Sequence, residues 1–182
     1  MTVSPVSKLY STEDCKIAAL LTDVAGFASY DTEVDVPGIR AVTMTPQIES
    51  KELRGDNRLL DADSTLVGVE LSATHAKLSL EALEVILGGA YTPGVATAGY
   101  VQAGGIALPK WAIGWRTPDN GGDTTGGDVH FRVAKCVVTA FQLGTAQEDY
   151  QELSFSAKGF VRLADDRLFD LGINATAAAI SL

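Results

Sequence analysis

The sequence predicts a mainly β fold with one short flanking helix. The clearest sign is strict alternation at residues 67–74. Val67, Val69, Leu71 and Ala73 fall on one face, and Gly68, Glu70, Ser72 and Thr74 on the other. That is the period of a pleated strand with one apolar and one wet face. Two further alternating stretches, residues 129–143 and 150–163, close the chain. A chain of 182 residues with 46% hydrophobic content can bury a core within one domain, residues 1–182.

Along the chain, residues 1–12 read as an arm, since Thr, Ser and Pro dominate and no period emerges. Residues 15–21 suit a strand. Residues 23–37 are looser, with Gly26 and acids at Asp31, Glu33 and Asp35. A strand then places Val42 and Met44 on one face and Ala41, Thr43 and Thr45 on the other. Pro46 is expected to close it, because proline cannot donate to a ladder. Residues 47–63 follow as a loop, longer than hairpins need. It mixes Glu49, Lys51, Glu52, Arg54, Asp56, Arg58, Asp61 and Asp63. Two readings stand: a solvated excursion, or a docking element whose mixed charges suit reversible pairing with a like partner.

After the strand at 67–74, Ser79 is the expected N-cap of a short helix. Its core stripe is Leu80, Leu83 and Leu87, with Ile86 beside them. Glu81 and Glu84 turn to solvent, and Gly88-Gly89 supplies the stop. Two to three turns are too few to stand alone, so the helix must pack on a sheet. Residues 91–105 are expected to hold a turn at Pro93-Gly94 and a short strand at 100–102. Trp111, Ile113 and Trp115 alternate in the next strand. In the strand from Val129, Lys135 breaks the phase of Val129, Phe131 and Val133, which predicts a bulge or bend before Val137 and Phe141. A turn at 144–149 leads to Leu153, Phe155 and Ala157 alternating with Glu152, Ser154, Ser156 and Lys158. Residues 167–172 suit a last short strand, and residues 174–182 a second arm.

The motifs of catalysis are missing. No nucleophile elbow, phosphate loop or dinucleotide fingerprint is present. His75 and His130 lack neighbouring ligands, so His75 reads as a hydrogen-bonded structural residue and His130 as a strand-surface one. Cys15 and Cys136 match no metal or redox spacing and read as reduced, buried thiols. The stretch PDNGGDTTGGD, residues 118–128, fails the calcium-loop spacing. Counted from Asp119, Gly121 stands third, Thr124 sixth and His130 twelfth, so a hairpin tip is the better reading. A net charge of −9 argues against a general nucleic-acid binder. It is compatible with a passage for nucleic acid, because a negative wall repels phosphate. No apolar run reaches membrane-spanning length, and the first residues have no apolar signal core, so export by a signal peptide is not expected.

Two stretches carry a family resemblance, TPQIESKELRGDNRLLDADSTLVGVELSATHAKLSLEALEVILGG and KCVVTAFQLGTAQEDYQELSFSAKGFVRL. Together they resemble the major tail tube proteins of long-tailed bacteriophages. The resemblance implies a structural virion protein and not an enzyme, with no cofactor and no membrane segment. Its fold would be a β-sandwich with a flanking helix. Hexameric rings would stack into the hollow tail tube that conducts DNA, with a long hairpin contributing to an inner β-barrel. Glu70, Ser72 and Thr74, with Thr43 and Thr45, would then face the lumen. The charged residues of the loop at 47–63 would touch the next ring, and both arms would grip neighbours. The implied partners are further copies of the chain, a tape measure protein, a tail terminator and baseplate or distal tail proteins. Phage DNA would pass without specific binding. The implied place is the virion tail, assembled in the cytoplasm of the host bacterium. Tail terminators and bacterial contractile-injection tubes share this fold. Two readings of other classes stay open: a calcium- or ligand-binding β-sandwich using PDNGGDTTGGD, and a small enzyme with a dispersed site.

Overall fold

The computed structural model of the chain describes residues 9, 11–55, 58–77, 79–92, 100–102, 107–119, 127–144 and 152–182. Its elements in order are β1 (Glu13–Val24), β2 (Phe27–Tyr30), β3 (Val34–Asp35), β4 (Ile39–Gly55), β5 (Arg58–His75), α1 (Leu80–Leu87), β6 (Ala90–Thr92), β7 (Tyr100–Gln102), β8 (Trp111–Pro118), β9 (Asp128–Gln142), β10 (Leu153–Gly159) and β11 (Phe169–Asn174). The protein is mainly β. Nine strands join one antiparallel sheet in the order β2-β1-β8-β9-β10-β5-β4, with β3 beside β1 and β11 beside β9. β6 and β7 form a ribbon of their own. The expected turns at Pro93-Gly94 and 145–149, most of the N-terminal arm, and residues 120–126 lie outside the described residues.

The sheet curls. β3 pairs with β1 near one end of the ladder, while β4 forms the other end. Only residues 36–38 separate β3 from β4, a link that spans at most roughly 14 Å. The two ends therefore lie close together, and the enclosed face is the core. Ile17, Val69, Leu71, Ala73, Ile113, Val133, Cys136 and Phe155 are buried there. Trp111 meets Phe155 edge to face at 5.8 Å, and Trp115 stacks on Phe131 at 5.2 Å. Cys15 and Cys136 are buried and unpaired; burial pushes the Cys15 thiol up to about 12, and Cys136 above its ordinary range.

The predicted break at Lys135 is present. Trp111 pairs with Cys136 but Ile113 with Val133, so β9 carries an extra residue there. The bulge moves Cys136 and Val138 onto the core face, and Val137, expected there, is only partly buried. The bulge also frees Lys135 to reach Asp23 at 2.5 Å.

α1 is capped as expected. Ser79 Oγ accepts from the Ala82 amide at 3.2 Å, and Gly88, at φ 73°, donates its N–H to the Glu84 carbonyl. The buried stripe is Ala82, Leu83 and Ile86, so Leu80 and Leu87 are corrected to its half-buried flanks. A two-turn helix turns a narrow stripe inward, and this one is centred about a quarter turn from the expected line. No helix among the described residues is long and apolar enough to cross a membrane.

Three expectations change. Pro46 does not close β4; the strand runs on to Gly55 as the outermost strand, where proline is tolerated. Residues 47–55 and 58–63, expected within a loop, belong to two paired strands, and their register continues to Gly55 opposite Arg58. Residues 174–182, expected as an arm, lie along their own subunit: Asn174 ends β11 and Ile180 is 1% exposed.

Candidate functional site

Register alone builds a continuous polar face on the side of the sheet turned away from the core. Thr45 stands opposite Glu70, and Glu70 opposite Lys158. One row along, Thr43 faces Ser72, which faces Ser156; the next row is Ala41, Thr74 and Ser154. Directly paired residues share a face, so the expected set of Glu70, Ser72, Thr74, Thr43 and Thr45 is brought together on one surface. Their strand neighbours Val69, Leu71 and Ala73 are buried on the opposite side. Thr43, Thr45, Glu70 and Ser72 are exposed, and Thr74 is half-buried. The rows line a shallow groove of about 420 Å³ shared with Thr139, Ser156 and Lys158. The sequence reading missed the contribution of β10. The alternation of Ser154, Ser156 and Lys158 was visible, but the adjacency of β10 to β5 is a property of topology.

The face ends where β10 ends, at Gly159 opposite Val69. Beyond that pair, β4 and β5 continue as a two-stranded ribbon of residues 47–55 and 58–68, with no third strand among the described residues. At about 3.3 Å per residue the ribbon projects roughly 30 Å. A one-residue offset between Gln47 and Ile48 swings Val67 out of the core phase, and it is 44% exposed. Glu49, Lys51, Glu52, Arg54, Arg58, Asp61 and Asp63 all lie exposed on this ribbon; Asp56 lies outside the described residues. Alternation sorts most of them. The pairs Glu49–Thr65, Lys51–Asp63 and Leu53–Asp61 share one face. Ile48–Leu66, Ser50–Ser64 and Glu52–Ala62 share the other. Ser50 and Ser64 hydroxyls meet at 2.9 Å, and Arg54 bonds Glu52 at 2.6 Å. Ile48, Leu53, Leu59 and Leu60 are exposed among these charges.

A second set of polar contacts secures the C-terminal segment. The amides of Ala178, Ile180 and Leu182 donate to the carboxylates of Asp128, Asp14 and Glu33 at 2.8, 2.9 and 2.8 Å. Burial alone would raise Asp128. The Ala178 amide, the Asn174 side chain and His130 outweigh it and hold the carboxyl below its ordinary value. Glu33 is likewise held low against its burial by the Leu182 amide and Lys16. Gly114 makes room for this segment, since a Cβ there would stand 2.8 Å from Leu182 and 3.0 Å from Ile180.

His130, expected at the surface, is corrected to a buried residue. Its Nε2 lies 3.1 Å from Asp128 and 3.2 Å from the Ala178 carbonyl, because the C-terminal segment covers it. His75 is structural as expected, with Nδ1 2.8 Å from the Lys77 carbonyl. Asp128, an oxygen donor of PDNGGDTTGGD, is engaged by Ala178, Asn174 and Arg116. Among the described residues no group of three or more His, Cys, Asp or Glu side chains could hold a metal ion. Compared with models of known protein families the chain matches none, and no curated protein sequence matches it.

Proposed function

We propose that the chain is a structural subunit of a self-assembling tube of the phage-tail kind, in which hexameric rings stack and conduct DNA. The observation that carries this reading is the ribbon of residues 47–55 and 58–68, exposed on both faces over residues 48–54 and 58–67 and, among the described residues, paired only with itself. A lone two-stranded hairpin is marginal in water, and its open edges are templates for pairing. Leucines and mixed charges on such a ribbon fit a surface that meets another copy.

Ring closure would remove the open edge of β4 and extend the polar rows into an inner barrel. Its wall would then be Thr43, Thr45, Glu70, Ser72 and Thr74, with Ser154, Ser156 and Lys158 added by β10. Hydroxyls hold water without trapping phosphate. Lys158 stands opposite Glu70, so the wall would present little uncompensated positive charge to DNA. In this arrangement the curled sheet serves as the tail-tube sandwich, and the ribbon's charged residues meet the next ring. Tape measure, terminator and baseplate or distal tail proteins are the partners such a tube requires.

The test replaces residues 47–68 by a tight turn joining Pro46 to Val69. The variant should fold with a normal thermal transition and yet form no tubes by electron microscopy. Tubes of normal length from that variant would remove the ribbon from the assignment. A parent protein that stays monomeric at high concentration, with tail assembly partners present, would end the reading as a whole.

A further inference from the structure

A pocket of about 210 Å³ opens beside β9 and β11, lined by Arg132, Arg162, Arg167, Tyr30 and Asp170, with Leu182 at its margin. Its charges do not balance. Arg162 is chelated by Asp165, at 2.9 and 2.5 Å, and donates to the Tyr30 hydroxyl at 2.8 Å. The Tyr30 hydroxyl in turn donates a hydrogen bond to the Ala134 carbonyl at 2.7 Å. Arg167 shares the Asp165 Oδ2 with Arg162, at 3.1 Å, and holds Asp170 at 2.9 Å. Three guanidinium groups thus face two carboxylates, and the cation left over is Arg132. Asp170 stands opposite Arg132 in the ladder but turns to Arg167. Among the described residues no carboxylate lies within ion-pair distance of Arg132, and its Nε is buried with no hydrogen-bond partner.

Arg132 is half-buried, and its guanidinium has no internal countercharge among the described residues. In a chain with 23 acidic and 14 basic residues, its lack of a partner is the more unusual. The volume corresponds to roughly seven waters, enough for a carboxylate or phosphate group. We propose that this pocket is an oxyanion socket. Arg132 grips a singly charged oxygen pair through its two Nη donors, the end-on fork by which a guanidinium binds carboxylate, while its buried Nε stays behind the pocket wall. Arg162 and Tyr30 form the fixed wall behind it. The oxyanion has two sources, an Asp or Glu side chain of a second copy of this chain or a free small anion. Only the first rests on the assembly reading above.

The experiment titrates the full chain with sodium acetate, and separately with inorganic phosphate, against sodium chloride at matched ionic strength. It follows the Arg132 Nε–H resonance and the melting temperature. The expected result is a saturable shift with acetate or phosphate and none with chloride. Arg132→Gln should weaken it by about tenfold or more, and Arg132→Lys should retain part of it. In chloride, Arg132→Gln should melt no lower than the parent, since it removes a cation that no internal group neutralises. A marked drop in melting for both variants, with no anion response in the parent, would make Arg132 a purely structural residue and overturn the socket. Sedimentation separates the sources. Weaker association of Arg132→Gln, with acetate competing in the parent, assigns the socket to a second copy. Unchanged association with anion binding intact assigns it to a free anion. No saturable response to either anion, together with unchanged association, ends the proposal. If the parent never associates, the tube reading fails while the anion titration remains decisive.

Discussion

One face of one sheet is finished in two different ways. Over β1, β8 and the first half of β9, the side turned away from the core is covered by the chain's own residues 178–182. Over β4, β5 and β10 the same side is bare, in rows of Thr, Ser, Glu and Lys. The covered half has what covering needs: Gly114 leaves space for Ile180, and carboxylates receive the amides of a segment that pairs with no strand. The bare half has groups that water satisfies without help. The two halves are therefore built for different neighbours, the first for its own chain and the second for solvent or for what passes along it. The contrast also separates two kinds of residue. Side chains under the C-terminal segment hold the fold, while those in the rows leave it almost untouched.

The largest effect is expected at Asp128, which is 1% exposed. It accepts from Ala178 and Asn174 and sits 3.4 Å from Arg116 and 3.1 Å from His130. Asp128→Ala takes the acceptor from these donors, of which His130 is buried and Asn174 and Arg116 half-buried. The expected loss is about 3–5 kcal/mol in a denaturant titration. A loss under about 1 kcal/mol would mean that the C-terminal segment is not integral to the covered half.

Ile180→Ala comes next. It empties the site over Gly114 without leaving a charge behind, and its cost belongs at the lower end of large-to-small core changes, about 2 kcal/mol, because a segment outside the sheet ladder can settle inward. If melting is unchanged, Ile180 is not a core residue in solution and the two halves are less different than they look.

Acid should act on the covered half first. The Asp128 and Glu33 carboxyls are held below their ordinary values, so each favours the folded state above its unfolded pKa of about 4. That contribution is lost as pH falls through the lower, folded values. The amide resonances of Ala178 and Leu182 should move toward unstructured positions below about pH 4, ahead of those of Val69 and Phe155. Simultaneous loss of all four would show that the segment is released only by global unfolding.

Residues with one face in a core were legible in the sequence, and residues with both faces in solvent were not. Val69, Leu71 and Ala73 alternate with Glu70, Ser72 and Thr74 because burial selects every second side chain. The ribbon has no such selection. Its charges therefore occupy both faces, and a two-residue period never develops in residues 47–63. The available signal was the Asp56-Asn57 dipeptide placed midway, of the polar type common in tight hairpin turns. Ser79, Gly88 and the bulge at Lys135 were legible because each acts within a few residues. The placement of β10 beside β5, the cover over His130 and the Arg132 pocket each join distant segments, and no local pattern records them.

The smallest expected effect sharpens the contrast most. Thr43 and Ser72 stand opposite one another at the middle of the bare rows, both exposed. Replacing both by alanine removes two hydroxyls that water already satisfied and leaves the buried Leu71 and Ala73 untouched. Surface changes of this kind stay within about 0.5 kcal/mol, so the double variant should melt with the parent. Glu70→Lys should be equally mild for folding, yet it would face Lys158 and give the wall two adjacent cations with no acid opposite. If the rows line a DNA passage, the lysine variant should still build tubes and slow or block DNA transit, while the alanine pair does neither. If instead the alanine pair destabilises the isolated chain by 1–2 kcal/mol, the rows are part of the fold's own support. The bare half would then belong with the covered one.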